Sequence, residues 1–283
     1  MSVRQPCAPD FYLRESNRKQ IERYTDGFDV PIELSNVVAG IVPHAGWMYS
    51  GGVAAKVFKC IREKANPQTF ILFGTIHQAR THVNPLYSHG SWATPLGDVE
   101  VDAGVSSGIL RLLGSTVADD IQGHAYEHSL EVQLPFIKYY FPGARIVPLG
   151  ILPDPNAVEL GKAIGAFARQ TEKEIVVVGT TDLTHYGEHY GFAPAGYGPA
   201  ALEWLHVNDK RIVEMALQMR AKEILLEAKK NHNACGSGAL AATIAAAEAL
   251  GAKRGILVEY TTSYDVCPDD DFIMGVGYAG MVF

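Results

Sequence analysis

The chain has 283 residues, of which 47% are hydrophobic and 19% are charged, and its formal net charge at pH 7 is −7. This composition is ordinary for a soluble globular protein, and the length is within reach of one large α/β domain. The negative charge and the lack of any run of Lys and Arg argue against a nucleic-acid-binding surface.

The amino-terminal stretch lacks the apolar segment of a secretory signal, and no window of the sequence approaches the length of a membrane span. The four cysteines are scattered without a CxxC pair; they are Cys7, Cys60, Cys235 and Cys267. Such spacing fits a reducing compartment, where a special cysteine is reactive or metal-bound rather than bridged. We therefore expect a cytoplasmic protein that binds neither nucleic acid nor a membrane.

Residues 1–36 are polar and are predicted to be irregular, apart from a short helix around 14–24. From residue 37 onward, apolar runs alternate with segments of helical spacing. The runs predict strands at 37–42, 70–74, 145–149, 175–179, 255–261 and 272–281. The helical segments are 52–65, 103–113, 128–140, 156–170, 200–230 (two helices) and 237–250.

Short runs rich in Val, Ile and Phe, without polar alternation, are typical of strands that are covered on both faces. Their alternation with amphipathic helices predicts an α/β three-layer sandwich with a mostly parallel central sheet. The sequence shows no linker, no break in composition and no repeat. We therefore expect one domain over residues 1–283.

Polar side chains follow three of the predicted strands directly. His44 follows the first strand, His77 follows "FILFG", and Asp182 and His185 follow "IVVVG". Ligands of open parallel sheets bind beyond the carboxyl ends of the strands, so these side chains are expected to share one site. A single histidine is more often structural than functional, but the shared placement favours function for His44, His77 and His185.

Cys235 lies in the small-residue loop "CGSG", just before a strongly helix-forming segment. The positive end of the helix dipole is expected to lower the pKa of this thiol. The glycines would let the backbone approach whatever the sulfur contacts.

Three further side chains are candidates for substrate binding. His128 lies in "EHSLEVQLPFI", where helix capping explains it about as well as a pocket role. Tyr49 and Tyr186, together with Trp47, would form an aromatic wall, although core packing explains them almost as well.

Taken together, these motifs resemble the Memo family, protein B of the AmmeMemoRadiSam system. The matching pieces occur in order along the chain: "VPHAGWMYSGGVAA", "ILFGTIHQ", "ATPLGDVEVD", "EHSLEVQLPFI", "VVGTTDLTHYG", "CGSGALAATIAAAEALGA" and "GYAGMVF". The resemblance implies the fold of the class III extradiol dioxygenases, whose site holds non-haem iron. It also implies an AMMECR-type protein and a radical SAM protein as partners.

Transferred position by position, the metal-site residues of the family are His44, His77 and Cys235, with Asp182 and His185 beside them. Cys235 stands where the dioxygenases have a carboxylate ligand. The chain departs from many members of the family at Gln78, where they have a second histidine. That departure bears on which histidine binds the metal.

Three functions are consistent with this sequence. The first is a metal-binding protein with redox or oxygenase activity on a small substrate, using non-haem Fe(II), or Cu or Zn because thiolate softens the site. The second is a metal-free thiol hydrolase with Cys235 as nucleophile, His185 as base and Asp182 as its orienting residue. The third is a non-catalytic module that binds a peptide or a metabolite in a disused pocket.

Overall fold

The computed structural model describes residues 2–12, 16–77 and 81–283. The helices are Asn17–Tyr24 (α1), Trp47–Lys64 (α2), Ala103–Leu113 (α3), Leu134–Tyr140 (α4), Asn156–Gln170 (α5), Pro199–Leu217 (α6), Ala221–Asn231 (α7), Ser237–Leu250 (α8) and Ser263–Val266 (α9). The strands are Val3–Arg4 (β1), Ala39–Val42 (β2), Thr69–Gly74 (β3), Asn84–Leu86 (β4), Ser91–Trp92 (β5), Val99–Glu100 (β6), Val117–Asp119 (β7), Arg145–Gly150 (β8), Ile175–Thr180 (β9), His185–Tyr186 (β10), Ile256–Thr262 (β11) and Gly275–Val282 (β12). Among these described residues, no helix has the length and apolar character that a membrane span requires.

The main sheet has the strand order β10-β12-β2-β9-β3-β8-β4-β7, with β11 paired to β12. Its centre consists of the parallel strands β2, β9, β3 and β8. Antiparallel strands flank this centre, because β12 runs against β2 and β4 runs against β8. The two late strands predicted from the sequence, β11 and β12, form an antiparallel pair. The predicted α/β class with a parallel central sheet is confirmed.

The central strands are buried on both faces. Successive side chains of a strand point to opposite faces, so Ile71 and Phe73 of β3 join one apolar core while Phe70 and Leu72 join the other. Helices α5 and α8 cover the first face, and α2 and α4 lie on the second. The resulting three layers explain why the strands have unbroken apolar runs.

Several boundaries differ from the sequence-based expectations. The helix expected at 128–140 begins only at Leu134, after a short 3-10 turn at Glu131–Gln133, because Pro135 fits only the first turn of a helix. The helix expected at 14–24 is observed as Asn17–Tyr24, and residue 14 lies outside the described residues. Strands β4 to β7 have only two or three residues each, too short to give a periodic signal.

Helix α8 lies in the middle of its layer, and every residue from Ser237 to Ala247 is buried. One side of α8 packs on the sheet, while the other packs on α5 and α7. The contact with α5 is close because α5 presents Gly161 and Gly165. A Cβ atom added at Gly161 would overlap the carbonyl oxygen of Ala242 in α8. These glycines therefore set the position of the helix that follows Cys235.

We expect Gly161→Ala to lower the free energy of unfolding by about 1–3 kcal/mol, because the added methyl group overpacks the contact between α5 and α8. Urea unfolding followed by circular dichroism measures the change. Gly104→Ala is the matched control, since this helical glycine of α3 has its nearest neighbouring atom 3.5 Å from an added Cβ. The control should be neutral or gain roughly 0.4–1 kcal/mol. Equal stability of the two variants would contradict the packing account.

Candidate metal centre

Three neighbouring parallel strands end at the same edge of the sheet. Val42 of β2 lies beside Thr180 of β9, and Gly179 of β9 lies beside Phe73 of β3. The residues that follow these strand ends include His44, His77 and Asp182. The structure brings His44 and His77 together with Cys235, because one ligand atom from each lies within 4.8 Å of the others. This cluster is the candidate metal centre.

His44, which is buried, and Cys235, which is half-buried, form the inner part of the cluster. The Nε2 atom of His44 lies 3.2 Å from the sulfur of Cys235. Asp182 connects the two residues: its Oδ1 accepts a hydrogen bond from the His44 backbone N–H (2.7 Å), and its own N–H donates to the sulfur (3.3 Å). Asp182 therefore holds both donors at the strand ends.

Gly236 allows the Cys235 loop to approach the sheet. Its N–H donates to Oγ1 of Thr181 at 2.9 Å. A Cβ at this position would overlap the carbonyl oxygen of Thr180 and the hydroxyl of Thr75. The close approach expected from "CGSG" is thus present, and only glycine permits it.

Glu127 orients the third donor, His77. Its carboxylate accepts the His77 backbone N–H at 2.8 Å and lies 3.0 Å from Nδ1 of the ring. It also accepts the N–H of Ser129 at 2.8 Å. A proton on Nδ1 facing this carboxylate leaves the lone pair of Nε2 free for a metal, as in carboxylate–histidine–metal arrangements. Glu127 thus holds the turn at Ser129 and orients the ring of His77.

His128 adds a third imidazole to the cluster. Its ring stacks on His77 with the centroids 4.8 Å apart, and its centroid lies 5.8 Å from that of His44. Phe11 also contacts the His128 ring in an edge-to-face arrangement, with the centroids 5.0 Å apart. His77, Glu127 and His128 also place one ligand atom each within 4.8 Å of one another. His128 therefore belongs to the site and not only to the turn before α4.

Burial determines the charge of the inner pair. It lowers the pKa of His44 to about 4, so that the imidazole is neutral at physiological pH. Burial, followed by the negative charge of Asp182, raises the pKa of the Cys235 thiol to about 12. The lowered thiol pKa expected from the helix dipole is wrong, because burial and the charge of Asp182 outweigh the hydrogen bonds that favour the thiolate.

In the outer pair, His77 and Glu127, the pKa shifts favour the charged forms, whereas in the inner pair they favour the neutral forms. Burial disfavours both charged forms, but their mutual hydrogen bond and attraction outweigh it. The pKa of His77 is raised, and that of Glu127 is lowered to about 2. The carboxylate is therefore ionised and able to fix the orientation of the ring.

Both imidazoles of the cluster line a cavity of about 620 Å³, whereas Cys235 is not among its lining residues. The side chains predicted for the site that line it are His44, His77, His128, Asp182, His185 and Tyr49. Sequence reasoning missed the aromatic side chains Phe11, Tyr190 and Tyr278, which also line the cavity. Phe11 comes from the segment expected to be irregular, and Tyr278 lies on β12, whose place beside β2 the sequence does not give.

Two predicted roles at the site do not match the geometry. The hydroxyl of Tyr186 donates to the carbonyl oxygen of Gly196 at 2.9 Å, and the ring is fully buried against Phe272, so this side chain is part of the core and not of the cavity wall. Trp47 stacks on Phe136 in the apolar core that also contains Phe70 and Leu72.

The second role that differs is the orientation of His185. Nδ1 of His185 lies 3.1 Å from the carbonyl oxygen of Leu183. This carbonyl, rather than the Asp182 carboxylate, is placed to fix the tautomer of His185.

The donor set of the cluster fits a metal ion. Bonds of about 2.0–2.3 Å in a tetrahedral site place ligand atoms roughly 3.3–3.8 Å apart. The His44–Cys235 pair, at 3.2 Å, is close to this spacing, and one ligand atom of His77 lies within 4.8 Å of both partners. Nδ1 of His44 is buried and has no hydrogen-bond partner among the described residues. Gln78 lies outside the described residues.

A protein-family model described as "Memo-like protein" matches residues 5–282. A MEMO1 family protein of Thermococcus onnurineus is 39% identical over 259 residues, covering 87% of each chain. MEMO1 family proteins of Thermococcus kodakarensis (37% identical, 99% of each chain) and Methanosarcina acetivorans (33% identical, 100% of this chain and 99% of the relative) match along the full length.

A solved structure of an uncharacterized protein from Escherichia coli K12 has the same fold. Its TM-score is 0.56 at 12% sequence identity, and the match covers 86% of this chain and 99% of that chain.

We expect the thiol of Cys235 to alkylate slowly at neutral pH, because its raised pKa leaves almost no thiolate there. Iodoacetamide labelling of the metal-free protein, read for each cysteine by mass spectrometry, measures the rate. From pH 7 to pH 10 the rate at Cys235 should rise about tenfold for each pH unit, since this range lies below its pKa of about 12. The exposed Cys267 is the internal reference for reagent access. Rapid, pH-independent labelling of Cys235 would contradict the raised pKa of this thiol and favour a thiol hydrolase.

Proposed function

The chain belongs to the Memo-like protein family, and we propose that it binds a metal ion at the candidate metal centre and has redox or oxygenase activity on a small substrate. The observation that carries this proposal is the convergence of two imidazoles and one thiol, with both imidazoles lining an open cavity. A function that used only the thiol of Cys235 would give no role to the imidazoles of His44 and His77.

Non-haem Fe(II) is the leading candidate, with Cu or Zn as alternatives because a thiolate ligand favours softer ions. His44, His77 and Cys235 would hold the ion. A ferrous ion with three protein ligands would supply open positions for a substrate and dioxygen. Metal binding would also displace the thiol proton, since the thiolate is the ligand form.

The other residues of the cavity have roles that follow from their contacts. His185 donates from Nδ1 to the carbonyl oxygen of Leu183, which leaves Nε2 free to accept a proton from a bound substrate. Asp182 positions His44 and Cys235 through its two hydrogen bonds. Tyr49 and His128 line the cavity and offer surfaces for a flat substrate.

A thiol hydrolase receives less support from the same geometry. The sulfur of Cys235 lies 3.2 Å from Nε2 of His44, but the lowered pKa of this imidazole, about 4, makes it a weak base, and burial together with the charge of Asp182 disfavours the thiolate. Activation of a cysteine nucleophile requires the opposite environment, in which a base or a positive charge favours the thiolate.

We expect the protein, purified without a polyhistidine tag and loaded anaerobically with Fe(II), to bind about one ion per chain. His44→Ala and Cys235→Ser should each lower this stoichiometry at least tenfold, because each removes one of three ligands. Elemental analysis after gel filtration measures the bound iron, and parallel samples with Zn and Cu(I) rank the metals.

The matched controls for this experiment are His89→Ala and Cys267→Ser. His89 is exposed and bonds only to Ser88 among the described residues, while Cys267 lines the cavity but is not part of the cluster. Both controls should bind metal like the unmodified chain. Unchanged metal binding in His44→Ala and Cys235→Ser would exclude the proposed centre.

We expect iron-loaded protein to consume oxygen in the presence of a substrate from a panel of catechols and related compounds. Iron-loaded His185→Ala should bind the metal but lose at least tenfold in rate, because it lacks the proton acceptor. A Clark electrode measures oxygen uptake, with His89→Ala as the control. Full iron loading without oxygen uptake by any compound of the panel would favour a non-catalytic binding module.

A further inference from the structure

A buried arginine from the amino-terminal segment binds the loop that carries Glu127. The guanidinium of Arg4 donates from Nε and Nη2 to the carbonyl oxygen of His124 (3.0 and 2.8 Å). Nη2 also donates to the carbonyl oxygen of Glu127 at 2.9 Å. The group stacks over the ring of Trp92 with 3.9 Å between Cζ and the ring centroid. Arg4 thus holds both ends of the 124–127 segment.

Glu131 completes the binding site for this arginine. Its Oε2 accepts a hydrogen bond from Nη1 of Arg4 at 2.8 Å, and the Glu131 side chain is 1% exposed. The same carboxylate accepts the backbone N–H groups of Cys7 and Ala8 and the hydroxyl of Tyr12. A buried carboxylate with this many donors is fully satisfied, so it fixes residues 4–12 on the body of the protein.

The contacts continue from Arg4 to the candidate metal centre through one residue. Arg4 binds the backbone of Glu127, and the side chain of Glu127 binds both the backbone N–H and Nδ1 of His77. A shift of the Glu127 backbone therefore changes the acceptor that keeps the proton on Nδ1. Without that acceptor, the proton can move to Nε2, and the lone pair of Nε2 is then no longer free to bind a metal.

We propose that Arg4 is a positioning residue of the candidate metal centre, which fixes His77 in the Nδ1–H tautomer by holding the backbone of Glu127. The proposal rests on the proposed function only for the consequence that His77 then binds a metal through Nε2. The tautomer itself belongs to the metal-free protein and is measured there.

A purely structural role for Arg4 makes a different prediction. Removal of the cation that pairs with a buried carboxylate destabilises a protein, because it leaves the carboxylate charge without its partner. Asp102 is such a carboxylate: it is 1% exposed, pairs with the half-exposed Lys173, and neither residue contacts Glu127. Lys173→Met therefore leaves a buried carboxylate unpaired, as Arg4→Met does, without touching the loop of Glu127.

The test is ¹⁵N NMR of histidine side chains in the metal-free protein, recorded at rising pH until the ring resonances of His77 no longer change, so that the neutral imidazole is observed. In the unmodified chain, His77 should be mainly the Nδ1–H tautomer. Arg4→Met should shift the ratio toward Nε2–H at least fivefold, and Lys173→Met should leave it unchanged. Arg4→Lys should give an intermediate ratio, because one ammonium group cannot reach Glu131 and both carbonyl oxygens together. If Arg4→Met does not fold, the comparison of Arg4→Lys with Lys173→Met decides between a positioning role and a purely structural role of Arg4.

A tautomer ratio like that of the unmodified chain in a folded Arg4 variant would overturn the proposal, as would an equal shift in Lys173→Met. Zinc affinity, measured by competition with a chelator dye, should fall roughly 10–100-fold in the Arg4 variant and stay constant in Lys173→Met. Failure of the unmodified chain to bind any metal would contradict the proposed function and leave the tautomer result standing. An unchanged zinc affinity in a variant with a shifted tautomer would refute the positioning role.

Discussion

The parallel strands β2, β9 and β3 lie side by side in register, and the candidate site depends on this arrangement. It brings His44, Asp182 and His77 to one edge of the sheet, although they are far apart in the sequence. Helix α8 packs on the same strands and makes a close contact with α5. Cys235, which comes just before α8, therefore lies at that edge. The cluster is thus a consequence of how a covered parallel sheet is built.

Two buried carboxylates support this arrangement from outside the cluster. Glu127 binds His77, and Glu131, four residues later, binds Arg4 and the segment that contains Tyr12. Both charges are satisfied by several hydrogen bonds, which is the condition for keeping a carboxylate ionised when it is buried. The amino-terminal segment therefore belongs to the same hydrogen-bonded network as His77.

The sequence predicted the parts of this molecule that depend on local pattern. The apolar runs of β3 and β9 and the alanine-rich α8 predicted their elements nearly to the residue, and the strand-end rule predicted the meeting of His44 with His77. Other features depend on tertiary contacts that no pattern records. The pKa of Cys235 follows from its burial, the core position of Tyr186 follows from α6, and the link between Arg4 and Glu131 spans 127 residues.

The coordination of a bound ion by this cluster is measured most directly by X-ray absorption spectroscopy of zinc-loaded protein at the metal edge. The account predicts one sulfur at about 2.3 Å and nitrogen donors at about 2.0–2.1 Å. The sulfur contribution should disappear in Cys235→Ser. A first shell of nitrogen and oxygen alone in the unmodified chain would contradict a centre built from His44, His77 and Cys235.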